Sequence, residues 1–112
     1  MQLSYVITFV ADMNAAVAFY RDTLGFKLRF QSPGWSEFDT GSTTLALHES
    51  SATNPPGSTR LGLSVPDLPA FAARMKQLGY RFTREPTPEH GSLLAEFVDA
   101  TGTRYAVSGP LA

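Results

Sequence analysis

Two histidines, His48 and His90, and the carboxylates Glu37 and Glu96 are the side chains with which this 112-residue chain could do acid–base or metal chemistry, since it contains no cysteine. That absence removes a thiolate nucleophile, a disulfide framework and any sulfur-ligated metal site at once. There is no Ser-His-Asp order and no glycine-rich phosphate cradle; Gly41 and Gly102 read as turn glycines. What remains is one candidate general base, His48, and a set of side chains suited to holding a small molecule. That set comprises Tyr5, Ile7, Phe9, Trp35, Glu37, His48, Arg60, Ser64, Glu96 and Arg104. Apolar walls with a few converging polar groups are the usual make-up of a ligand pocket. Each member also has a plainer reading. Tyr5 and Trp35 can be core aromatics, Glu37 and Glu96 can pair with Arg60 and Arg104, and His48 can be a solvated residue at a strand end. His90 stands in a loop bounded by proline and glycine, where exposure is expected, although such a loop could also act as a lid.

These residues meet only if strands carry them to a common face. Alternation predicts strands over 3–10, 26–31, 35–40 and 43–48, and again over 59–65, 80–84, 93–98 and 103–108. In the second strand Phe26, Leu28 and Phe30 form the buried side, against Lys27, Arg29 and Gln31. Between first and second strands of each set lies a helix with end signals. Asp12 and Asp67 are placed to accept the free N–H groups of a first helical turn, and Gly25 and Gly79 to supply the left-handed residue that ends it. Met13, Ala16, Val17, Tyr20 and Leu24 make one apolar stripe; Leu68, Phe71, Ala72, Met75 and Leu78 make the other. The order βαβββ therefore occurs twice, and Glu37-Phe38 with Thr40-Gly41 is answered by Glu96-Phe97 with Thr101-Gly102. The fold class is α+β: two tandem βαβββ modules whose curled, mostly antiparallel sheets surround a cleft, with the helices outside. The modules cover about residues 1–50 and 59–112 of a single domain, joined by a proline-rich linker at 49–58, and EPTPEHG at 85–91 is a loop that two prolines keep out of a sheet interior.

Hydrophobic residues make up 43% and charged residues 17%, a balance that supports a packed core and argues against disorder. A formal net charge of −1, with arginines and lysines scattered, provides no electrostatic case for nucleic acid or an anionic membrane. The N-terminal run has no basic flank and is cut by Asp12, so it reads as a strand and not a signal peptide, and no window reaches membrane-spanning length. A cytoplasmic location is the expectation.

The segment AFYRDTLGFKL within Asp12 to Leu28, together with FVDATGTRYAV from Phe97 to Val107, resembles the glyoxalase, bleomycin-resistance and extradiol-dioxygenase superfamily, the vicinal oxygen chelate proteins. The resemblance spans nearly the whole chain. It implies either a metal-dependent lyase, isomerase or dioxygenase, or a metal-free protein that sequesters a drug in its cleft. Metal-dependent relatives carry ligands on the first and fourth strands of each module, and the matching positions are Tyr5, Ala46, Arg60 and Ala106. A phenol, two methyl groups and a guanidinium make a poor first shell, so no metal ligand and no cofactor is expected. The expected function is metal-free binding of an apolar or aromatic molecule, antibiotic sequestration included, with Arg60 or Arg104 fixing any anionic group. The alternative is a lyase, isomerase or dioxygenase with a metal relocated to His48 and Glu37 or Glu96, or with His48 as general base. The expected partners are that small-molecule ligand and a second copy of the chain, since exposed sheet edges and a half-cleft favour a homodimer.

Overall fold

The computed structural model describes residues 1–111. The chain forms two compact units, residues 4–59 and residues 60 onward together with the first three. Each contains a βαβββ run in an α+β arrangement. In the first module, β1 (Gln2–Val10) is followed by α1 (Met13–Ala18), β2 (Lys27–Gln31), β3 (Trp35–Asp39) and β4 (Thr44–Glu49). The strands lie in the order β2-β3-β4-β1, with β1 parallel to β4 and the other pairs antiparallel.

The helix starts where its sequence signal lies. Asp12 is extended, and its carboxylate accepts the Ala15 N–H at 3.0 Å, a cap worth about 1 kcal/mol. The end differs from a continuous α-helix to Gly25. After Ala18 the backbone widens into a π-helical turn, Phe19–Thr23, closed by Leu24 N–H donating to the Phe19 carbonyl at 3.1 Å. The wider turn keeps Tyr20 against the sheet, with its ring 5.7 Å from that of Phe38, while Leu24 is left half exposed. Gly25 then adopts φ +81°, the left-handed conformation that the change of direction requires. Val17, Phe38 and Leu47 form the buried centre under this helix.

Strict alternation fails once in β2. Leu28 faces Phe38 and the next pair is Phe30 with Glu37, so a bulge at Arg29 shifts everything after it by one residue. Phe30, expected on the buried side with Leu28, is instead 53% exposed, and Gln31 turns to the helix side, where it donates to Asn14.

In the second module β5 (Thr59–Ser64), α2 (Leu68–Gln77), β6 (Arg81–Glu89), β7 (Ser92–Val98) and β8 (Arg104–Gly109) give the order β5-β8-β7-β6, again with its first and last strands parallel. Asp67 caps α2 by accepting the Ala70 N–H at 3.1 Å, and Gly79 ends it at φ +94°. Val65, Leu68, Ala95, Phe97 and Val107 form the core, with the Phe97 and Tyr105 rings stacked at 5.0 Å. Gly109 allows a close approach. A Cβ there would lie 3.0 Å from the Val65 carbonyl oxygen and 3.1 Å from Leu68 Cβ, tighter than ordinary contact, so a side chain would press the start of α2 away from β8 by a few tenths of an ångström.

The expected loop at 85–91 is mostly strand. β6 runs through Pro86 and Pro88 to Glu89, because it is the outermost strand of its module and an outward-facing proline forfeits no ladder bond. His90 (φ +51°) and Gly91 (φ +83°) make a two-residue hairpin turn, so this segment is a paired edge and not a lid. The bulge of the first module recurs here at the equivalent place: Phe82 faces Phe97, and the next pair is Arg84 with Glu96. Residues of the linker are tied to β1, with Gly57 N–H donating to the Phe9 carbonyl and Phe9 N–H to the Ser58 carbonyl, both at 2.9 Å.

Asp99 closes the last turn. One of its oxygens accepts from the Thr101 hydroxyl at 2.7 Å and from the Thr101 and Thr103 N–H groups, and the other accepts from the Tyr105 hydroxyl at 3.0 Å. These donors, the Thr101 hydroxyl first, hold its carboxyl below the usual carboxylate range. A depressed carboxyl stabilises the fold fully above its unfolded value, about pH 4, and loses that contribution as pH falls through the lower folded value. Asp99→Asn should therefore melt below the parent at pH 7, with the gap shrinking steadily below about pH 4. Melting curves across pH test this; a gap that stays constant to acid pH would show that the turn depends on shape and not on charge.

Candidate functional site

The face of the first module turned away from α1 collects the aromatic side chains. Register places Phe9 of β1, His48 of β4 and Trp35 of β3 side by side in one row across three strands. The His48 ring centroid lies 5.1 Å from that of Phe9 and 5.9 Å from that of Trp35, the latter edge-on at 90°. Tyr5 lies two rows along, beyond Ile7 and Ala46, with its ring 6.0 Å from Trp35 at 60°. Ile7, Phe9 and Ala46 are the buried floor, with Tyr5 and Trp35 packed on it. The bland and the functional readings of Tyr5 and Trp35 thus coincide in place: they pack on a core and border an open face.

Glu37 organises the polar side of this face. Trp35 Nε1 donates to one of its oxygens at 2.8 Å, and Arg29 donates to the other through Nε at 3.3 Å and Nη2 at 3.1 Å. Arg29 Nη2 also donates to the Thr44 hydroxyl. The indole is thereby fixed at its N–H end, and Glu37 is matched by Arg29, not by the expected Arg60 or Arg104. Arg29 is a site residue that sequence reasoning passed over. Alternation puts it on the polar side of β2, but which strand lies beside β3, and in what register, is decided by tertiary pairing. His48 is exposed, and its Nδ1 lies 2.8 Å from the Glu49 carbonyl oxygen. A carbonyl can only accept, so Nδ1 carries the hydrogen, and in the neutral ring Nε2 then presents a lone pair.

The corresponding face of the second module is polar. Arg60 Nη1 donates to Glu96 at 2.9 Å, the ion pair expected for this carboxylate, with the two side chains 10% and 30% exposed. Burial moves the Arg60 guanidinium below its ordinary value, Glu96 opposes that, and the charge of Arg104 adds to it. Arg60 stays cationic regardless. Arg84 stands across from Glu96 and is hydrogen-bonded to Glu89, whose carboxyl it holds below the usual range. Ser64 lies opposite Ser108 in register, and Arg104 shares this face. The structure thus divides the expected residues by module: Tyr5, Ile7, Phe9, Trp35, Glu37 and His48 in the first, and Arg60, Ser64, Glu96 and Arg104 in the second.

A divalent ion does not fit either face. Of the four positions that correspond to the superfamily's ligands, Tyr5 and Arg60 are non-ligating at neutral pH and Ala46 and Ala106 have no donor. Both Glu37 oxygens are engaged, and among the described residues no three His, Cys, Asp or Glu side chains converge. A surface depression of about 510 Å³ in the first module lies at the helix start, between Ala11–Asn14 and Gln31–Pro33, and has no aromatic or cationic side chain in its lining. The aromatic row, with its fixed indole and oriented imidazole, is the better site.

Among the described residues no helix is long and apolar enough to cross a membrane. Solved structures share the fold. The chain is similar to a glyoxalase/bleomycin resistance protein/dioxygenase superfamily member from Vibrio splendidus 12B01, at 13% identity over 96% of this chain and 99% of that one, with a TM-score of 0.76. It is similar to methylmalonyl-CoA epimerase from Mycobacterium tuberculosis, at 23% identity over 98% and 88% of the two chains, with a TM-score of 0.77. A protein described as NAD-dependent benzaldehyde dehydrogenase from Legionella pneumophila gives 16% identity over 95% and 97%, with a TM-score of 0.77. At such identities the likeness is one of fold, and one fold hosts many chemistries. No curated protein matches the chain in sequence. The family model does match, over residues 2–107, and so takes in both βαβββ runs, both capped helices and both closing strands. With the repeat, the register and the family model in agreement, the chain belongs to the Glyoxalase/Bleomycin resistance protein/Dioxygenase superfamily.

Proposed function

We propose that this protein binds an apolar or aromatic small molecule on the open face of its first module without a metal, antibiotic-like ligands included, and that it does so in the cytoplasm as a homodimer. The observation that supports this is the row Phe9, His48 and Trp35, flanked by Tyr5 and laid over a buried Ile7 and Ala46. Ring contacts of this kind contribute about 0.5–1.5 kcal/mol each beyond area burial, and an indole already held by Glu37 loses little freedom when a ligand stacks on it. A second copy is the natural cover for the face, because Phe30 is half exposed there and β2 is an outermost strand.

Trp35 is the only tryptophan, so its emission reports on this face alone. Titration with a small neutral arene should change Trp35 emission saturably, with the same dissociation constant in chelator and in added zinc. Calorimetry on Trp35→Ala should show affinity reduced about tenfold, the loss of one good ring contact. Sedimentation at tens of micromolar should give a dimer. Binding that requires zinc would reverse the order of the two readings in favour of a metal enzyme; no saturable binding would end the first.

A further inference from the structure

We infer that His48 selects the ligand of this face, which takes a neutral arene bearing a hydroxyl or N–H donor in preference to the same arene bearing a carboxylate. The inference rests on the reading of the open face as a ligand site and adds the chemistry of what fills it.

The argument is a count of donors and acceptors at the aromatic row. The indole N–H of Trp35 is donated to Glu37 at 2.8 Å. Nε and Nη2 of Arg29 are turned to Glu37 and to the Thr44 hydroxyl, so that cation is held against a carboxylate at the side of the row. The His48 Nδ1 hydrogen is donated to the Glu49 carbonyl. The row thus presents the rings of Trp35 and Tyr5 over a floor that includes the buried Phe9, and its directed acceptor is His48 Nε2, with the Tyr5 hydroxyl further along the face. The orientation of the imidazole is fixed twice over. A half-turn of the ring would break the bond to Glu49, and a rotation out of the row would lose contact with Phe9 at 5.1 Å and Trp35 at 5.9 Å. A ligand O–H or N–H can complete this arrangement. A ligand carboxylate would set its oxygens against a lone pair, and would have to give up its hydration to do so.

Three naphthalenes of nearly equal shape test this on the full-length protein by calorimetry at about pH 8, where a histidine side chain is ordinarily neutral. They are 2-naphthol, 2-methoxynaphthalene and 2-naphthoate. The expected order is naphthol about tenfold tighter than the methyl ether, the worth of one hydrogen bond to an otherwise unmatched acceptor, and naphthoate weakest. His48→Phe retains a ring between Phe9 and Trp35 but has no acceptor. It should erase the naphthol preference over the methyl ether, whatever the change in the ether's own affinity, and His48→Gln, whose amide oxygen can accept, should restore part of that preference. A naphthol preference that survives His48→Phe, or naphthoate binding tightest, overturns the inference; Tyr5→Phe then shows whether the phenol is the acceptor. Methyl ether binding without a naphthol preference sinks only the role of His48, whereas failure of all three to bind sinks the ligand site and this inference together.

Discussion

Truncation of Phe38 to alanine should lower the unfolding free energy by about 3–5 kcal/mol, a large part of the 5–15 kcal/mol typical of a single domain. Phe38 is fully buried between β3 and α1, where it shares a cluster with Val17 and Leu47, and the Tyr20 ring leans on it at 5.7 Å. Its neighbours are held by the helix cap at Asp12 on one side and by the ladder to β4 on the other, so the cavity cannot close by a small shift. The consequence reaches the aromatic face, because Trp35 and Glu37 stand on the same short strand and present the opposite side of it. Urea unfolding followed by far-UV circular dichroism measures the loss, and Trp35 emission reports whether the indole loosens with it. A change below about 1 kcal/mol would mean that Tyr20 and Leu47 collapse into the space, contrary to the packing described.

Replacement of Glu96 by glutamine is expected to destabilise the second module by on the order of 2 kcal/mol. The Arg60 side chain is only 10% exposed and its guanidinium is desolvated beside the charge of Arg104, so without the Glu96 carboxylate two cations face each other in a poorly hydrated setting. The figure stands below the 3–5 kcal/mol of a fully buried pair because Glu96 is 30% exposed and water can replace part of what it provides. The companion measurement is the double variant Arg60→Met with Glu96→Gln. With the Arg60 charge gone as well, most of the loss should be recovered, since the penalty comes from a desolvated cation that has lost its carboxylate and not from the absence of an ion pair as such. If the double variant is no more stable than Glu96→Gln alone, Arg60 is tolerated without its carboxylate and the electrostatic account fails.

What was legible in the sequence is what neighbours along the chain decide. Asp12 and Asp67 cap their helices, and Gly25 and Gly79 end them with positive φ, because each signal acts within one helical turn. Alternation located the strands and put Tyr5, Ile7, Phe9, Trp35 and His48 on one face, because side-chain direction has period two wherever a strand is regular. The doubled βαβββ order and the family resemblance stood on these local facts. What only the tertiary structure decided lies where regularity breaks or where distant segments choose partners. The bulge at Arg29 turns Phe30 outward and sets it opposite Glu37, and its counterpart in β6 sets Arg84 opposite Glu96; a bulge is set by the ladder across the strand, which no local pattern encodes. Pro86 and Pro88 sit in a strand because β6 is outermost, a matter of strand order and not of propensity. The imidazole of His48 presents Nε2 because the Glu49 carbonyl takes the other hydrogen, and the indole of Trp35 has no N–H to offer because Glu37 holds it. Residue types therefore announced a face of aromatic and polar side chains, while the hydrogen-bond partners that orient those side chains arise only once the sheet has brought the strands together.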